Sequence, residues 1–148
     1  MKIERFFQLQ DLMKQAFQEE EFQEAKSLAL EYLDMANSNK TNWNYGNAIH
    51  QANLILGRIS LREKKIEEAK IYLLKAGKTP GSPQLNSFGP NMTLAKELLE
   101  IEETETVLEY FNLCKKFWYK IISWYKIRKW KKIIKKGSIP DFRAHLIY

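Results

Sequence analysis

The sequence predicts an all-α fold built of antiparallel helical hairpins, on three observations. Leu56 and Gly57, then Ala69, Leu73 and Ala76, then Pro80 and Pro83 fall at the intervals that two short packed helices need. Gly57 lets a neighbouring helix come close, Ala69 and Ala76 are small where two backbones meet, and Leu56 and Leu73 fill the remaining gap. A proline after Ala76 then stops the second helix. Weaker copies of this spacing lie on either side: Leu12, Met13, Ala25, Ala29 and Tyr32 upstream, Leu94, Ala95, Val107, Phe111 and Cys114 downstream. The third observation is negative: no stretch shows convincing strand alternation.

Taken in order, the first hairpin needs helices over Ile3–Gln18 and Glu21–Ala36, which carry the upstream copy. The middle one spans Trp43–Glu63 and Ile66–Ala76, with Gly77 suited to a left-handed C-terminal position. Residues 77–90 are rich in Gly, Pro and Ser and read as an ordered loop on one edge. Asn91 or Thr93 can cap a helix over Met92–Glu102, followed by Thr104 to about Tyr125. A last helix, Lys126–Lys136, ends at Gly137. The clusters Glu19, Glu20, Glu21, Glu24 and Glu100, Glu102, Glu103, Glu105 sit at helix junctions, where acidic side chains favour the positive N-termini that follow.

The apolar side changes along the last forty residues. At 100° per residue, Phe111, Cys114, Phe117, Trp118, Ile121, Ile122 and Tyr125 share one broad side, while Ile127, Trp130, Ile133 and Ile134 lie nearly opposite. A break near Tyr125 and Lys126 lets both faces meet one core. The polar outside of the terminal helix is then Arg128, Lys129, Lys131, Lys132, Lys135 and Lys136.

The net charge of +6 hides an asymmetry. Residues 1–114 hold 13 Lys and Arg against 17 Asp and Glu, net −4; residues 115–148 hold 11 against Asp141 alone, net +10. Hydrophobic residues make up 45% of the 148, enough for a core of one domain. Charges at Lys2, Glu4 and Arg5 break the start, so a secretory signal is not expected, and no run reaches the roughly 18 apolar residues of a spanning helix. A single cysteine excludes an internal disulfide and makes the cytoplasm the default location.

At the middle hairpin the chain resembles the tetratricopeptide repeat family: counting His50 as the first residue of a repeat, the small-residue sites at the eighth, twentieth and twenty-seventh positions fall on Gly57, Ala69 and Ala76. The resemblance implies a right-handed superhelix of about three hairpins, near residues 6–36, 43–77 and 88–118, closed by a basic C-terminal capping helix and tail over 119–148. From Ala25 to Ala69 is 44 residues and from Ala69 to Val107 is 38, against a family period of roughly 34, so the connections 37–45 and 77–90 are lengthened. The resemblance also implies a concave groove lined by the first helix of each hairpin. Its ninth site falls on Lys14, Arg58 and Lys96, a basic ladder, with Gln10, Leu54 and Met92 at the fifth site, Phe17, Leu61 and Leu99 at the twelfth, and Gln18, Arg62 and Glu100 at the thirteenth. Such a groove suits an acidic peptide held by charge-assisted hydrogen bonds. The chain departs from the family's carboxylate clamps in lacking their Asn at the ninth site, and it places polar Asn53 at the fourth, where an aromatic often packs.

Catalytic motifs are not found. His50 and His145 stand apart from each other and from Cys114, and Cys114 shares an apolar helix side with Phe111 and Phe117. No phosphate loop or nucleophile elbow occurs, so neither an enzyme, a metal nor a cofactor is expected. The expectation is a non-enzymatic scaffold that binds a protein or peptide segment of acidic character. Two alternatives stay open: a toxin-neutralising protein of the immunity or antitoxin kind, and a peripheral membrane or RNA-associated protein acting through Arg128, Lys131, Lys132, Lys135 and Lys136. Phe142, Leu146, Ile147 and Tyr148 should fold back on the helices, or else dock into another copy's groove to give a homodimer.

Overall fold

A computed structural model describes residues 3–147, so Lys2 and Tyr148 lie outside the described residues. The described chain is all helical, with eight α-helices and a short 3-10 turn. Helices α1 (Ile3–Gln18) and α2 (Phe22–Asn37) form the first antiparallel pair, α3 (Tyr45–Arg62) and α4 (Ile66–Gly77) the second, and α6 (Thr93–Glu100) and α7 (Thr104–Cys114) the third. Between the second and third pairs lies α5 (Pro83–Phe88), and α8 (Lys120–Lys135) packs on α7.

Each pair is closed by the same turn. Glu20, Lys64 and Glu102 sit at φ of 61°, 60° and 64°, and the following residue's N–H reaches back to Ala16, Ser60 and Leu98 carbonyls at 2.9, 2.8 and 2.9 Å. This is the six-to-one hydrogen bond of a Schellman ending, here with a non-glycine residue in the left-handed position. The three turns lie 44 and 38 residues apart, the same offsets as Ala25, Ala69 and Val107. The nine positions Ala25, Ala29, Tyr32, Ala69, Leu73, Ala76, Val107, Phe111 and Cys114 are all fully buried.

Two apolar clusters share α3, which is why that helix is buried on nearly every side. Phe6, Leu9, Met13, Tyr32 and Ile59 fill one; Leu73, Leu94, Tyr110, Phe111, Trp118 and Trp130 fill the other. Gly57 stands where a Cβ would run into the Leu94 side chain, so glycine there sets the approach of α6 to α3.

Several expected boundaries move. Gly77 is the last residue of α4 with ordinary backbone; a Cβ there would press on Tyr110 and Leu113 of α7 at 2.9–3.1 Å, so it serves close packing and Lys78 takes the cap position. Gly137 does adopt the left-handed conformation, at φ 84°. The loop 77–90 contains α5, opened by Ser82, whose hydroxyl accepts the Leu85 N–H at 3.0 Å, with Pro83 in the first turn. Asn91 accepts the Thr93 N–H at 2.8 Å through its side-chain oxygen and so completes the start of α6.

The largest correction concerns the break in the C-terminal segment. It lies at residues 115–119, not near Tyr125, because Phe117 packs edge-on to His50 and Trp118 covers Gly89. The Tyr119 N–H then donates to the Asn86 carbonyl at 3.1 Å. Helix α8 consequently starts in a new register. It buries Ser123, Ile127 and Trp130 and leaves Ile121, Ile122 and Tyr125 in solvent, where the sequence had placed them in the core.

Beyond α8 the chain folds back. Phe142 is buried against Phe111 and Trp130, and the 3-10 turn Arg143–Leu146 brings His145 under Trp118.

Candidate functional site

The sequence pointed to a groove along α1, α3 and α6, and a small concavity of about 110 Å³ lies there. Lys14, Phe17 and Gln18 of α1 form one side, Gln51, Leu54, Ile55 and Arg58 of α3 the other, with Asn91 and Thr93 at the start of α6 and Leu146 and Ile147 of the tail at the end. Lys14, Leu54 and Arg58, taken from two successive hairpins, therefore come together. Lys96 does not line this concavity, and Gln10 accepts a long hydrogen bond from the Tyr32 hydroxyl at 3.4 Å.

The cations differ in their commitments. Arg58 donates to Glu97 at 2.7 Å, and Arg62 meets the second oxygen of the same carboxylate at 2.6 Å. Both guanidinium groups lie over the Phe17 ring, at 4.5 and 5.0 Å from its centre. Burial pulls the Lys14 ammonium below its ordinary pKa, with Asp11 opposing that shift. Of the two cations that line the concavity, Arg58 is already paired with Glu97 and Lys14 is half-buried. At about 110 Å³ the concavity suits one side chain and falls short of the ~300–1,000 Å³ of small-molecule sites.

A buried polar network that sequence reasoning missed ties α2, α3 and the loop after α4 together. Asn44 donates to the Tyr32 hydroxyl at 3.1 Å, Asn47 donates to Asn44 at 2.7 Å, and the Ser82 hydroxyl donates to Asn47 at 2.6 Å. Burial raises the Tyr32 phenol to about 12. One turn further on, His50 Nδ1 donates to the Ala76 carbonyl at 3.1 Å and its Nε2 accepts the Asn91 N–H at 3.0 Å. The ring is fully buried, which drives its pKa down to about 4 and keeps it neutral. Asn53 is satisfied inside its own helix, donating to the Ile49 carbonyl at 2.7 Å. A signal existed: Asn44, Asn47, His50 and Asn53 recur every third residue.

Cys114 and His145 are both buried. Burial pushes the Cys114 thiol far above its ordinary pKa. His145 Nδ1 donates to the Pro90 carbonyl at 2.9 Å, and its Nε2 accepts from the Lys126 ammonium at 3.0 Å. Among the described residues no three His, Cys, Asp or Glu side chains gather as metal ligands.

The second surface is α8. Arg128, Lys132, Lys135 and Lys136 are exposed, Lys131 reaches Asn112 at 3.3 Å, and no ion pair to these five cations occurs among the described residues. No described helix is long and apolar enough to cross a membrane. No family model matches the chain, and neither a curated protein nor a solved structure matches it.

Proposed function

We propose that this chain is a non-enzymatic scaffold of the tetratricopeptide kind, three hairpins closed by a basic capping helix, that captures a segment of a partner protein between α1 and α3. The observation that carries the reading is the convergence of Lys14, Leu54 and Arg58 on one concavity that already takes Leu146 and Ile147 of the chain's own tail. An aliphatic side chain flanked by carboxylates fits that lining: Leu54 and Ile55 read the apolar group, Lys14 the charge. Arg58 and Arg62 are already answered by Glu97, so they shape the wall more than they attract a ligand.

The test is selection from a displayed peptide library biased toward one aliphatic residue among Asp and Glu. Enriched peptides should lose about tenfold to a hundredfold in affinity against a Lys14→Glu, Gln18→Glu double variant, the range for a charge-assisted hydrogen bond. Gln18 is exposed and Lys14 half-buried, so circular dichroism and thermal unfolding check that the double variant keeps the fold. Peptides that bind the double variant as well as the parent, or a library that yields none, would refute the reading.

A further inference from the structure

We propose that the outer face of α8 is a docking surface for an anionic lipid bilayer. The helix buries Ser123, Ile127 and Trp130, and the opposite face carries Ile121, Trp124, Tyr125, Arg128, Lys132 and Lys135. Ile121 is 84% exposed, Trp124 60% and Tyr125 63%, an unusual cost for a helix that has a core to reach. The apolar and charged residues are also separated along the axis. The first two turns present Ile121, Ile122, Trp124 and Tyr125 with Lys120 at the very start, and the next two present mainly cations.

Beside Trp124 lies a shallow concavity of about 350 Å³ that carries no acidic lining residue; Lys115, Arg128, Lys131, Lys132 and Lys135 supply its charge. The Lys131 ammonium is held below its ordinary pKa by partial burial and by neighbouring Lys115, so this patch is short of counter-charge. A phosphate headgroup supplies that charge.

A bilayer answers every part of the face. Tryptophan and tyrosine rest at headgroup level, an isoleucine at the tip reaches the acyl boundary, and lysines near the surface gain from the anionic potential. RNA would use the cations and could stack on Trp124, but it offers nothing to Ile121. A second copy applied face to face would bring a segment of net +10 against its like. The net −4 of residues 1–114 is repelled by the same bilayer, which turns α8 toward it and the hairpins away.

The experiment is co-sedimentation of the full chain with phosphatidylcholine vesicles and with vesicles of equal parts phosphatidylcholine and phosphatidylglycerol. Binding to the anionic vesicles alone is expected, weakening as salt rises. Lys132→Gln with Lys135→Gln should weaken it about thirtyfold, taking each cation at the value usual near such a surface. Ile121→Ser with Trp124→Ser should weaken it at least as far, and both pairs are exposed, so circular dichroism should stay unchanged. Absence of binding at low salt overturns the proposal. So does binding that ignores Ile121→Ser and Trp124→Ser, or that a tRNA competitor abolishes at equal phosphate; either outcome makes the face a polyanion site. A dimer in solution that the same two substitutions dissociate would make it a self-interface and overturn it as well.

Discussion

His50 and His145 grip one loop from opposite sides. His50 Nε2 accepts the Asn91 N–H at 3.0 Å, while His145 Nδ1 donates to the Pro90 carbonyl at 2.9 Å and its own carbonyl accepts the Met92 N–H at 2.7 Å. Two histidines 95 positions apart in the chain thereby hold the two ends of a single peptide group, Pro90–Asn91, and His145 also holds the next one.

Both imidazoles must stay neutral for this to hold, and both pKa values are depressed, each chiefly by burial and further by Lys14 or Lys126. The unfolded chain therefore binds more protons than the folded one below pH 6.5, and stability falls with pH through that window down to about 4 for His50. Unfolding in urea at pH 5 should show a loss of about 2 kcal/mol from His50 relative to pH 7.5. His50→Gln should flatten that slope, and an unchanged slope would refute the assignment.

Lys126 should act through His145. Its ammonium lies 3.0 Å from Nε2 and also over the Trp118 ring, at 5.8 Å from the ring centre. Removing the charge in Lys126→Met should raise the His145 pKa toward its ordinary value, read from the imidazole resonances in a pH titration. Because His145 precedes Leu146 and Ile147, the same variant should loosen the tail and open the groove.

Glu97 is expected to restrain Arg58, which lines the concavity, and Arg62 beside it. Glu97→Gln frees Arg58 and Arg62, at a cost to stability of about 1 kcal/mol because the pair is partly solvated. Capture of acidic peptides should strengthen several-fold in the same variant, measured by titration calorimetry.

Gly57 tests the packing. Its backbone is ordinary, yet Gly57→Ala pushes a methyl group into Leu94 and should destabilise by about 1–3 kcal/mol in spite of alanine's better helix propensity. Stabilisation on thermal unfolding would mean that α6 can shift away.

Cys114 should be inert in the folded chain. It is fully buried with a raised thiol pKa, so a disulfide reagent should modify it only at the rate at which the chain unfolds. Fast native modification would show that α7 opens locally.

The hairpins were legible because their signal is local. The spacing of Ala69, Leu73 and Ala76 is one face of one helix, and its weak copies landed on buried sites despite bearing Tyr32, Phe111 and Cys114. What escaped was imposed from a distance. Residues 115–119 leave the helix because Phe117 meets His50 of α3 and Trp118 meets Gly89, both more than 25 residues upstream, the second in a loop with no periodicity to read. That loop is in turn fixed by Asn47 and His50, polar side chains whose spacing was visible but whose partners were not. The cations of the groove illustrate the same limit: Lys14 and Arg58 could be placed on one side, but only the fold brings Glu97 to Arg58 and Arg62.

Helical repeats that touch only their neighbours can melt from one end. Here α3 belongs to both apolar clusters, and the string from Tyr32 through Asn44 and Asn47 to Ser82 crosses from the first hairpin into the loop after the second. Fraying the first hairpin would strand those buried amides, and releasing the loop would do the same from the other side. The hairpins should therefore unfold together, with the two ends of the molecule sharing one transition.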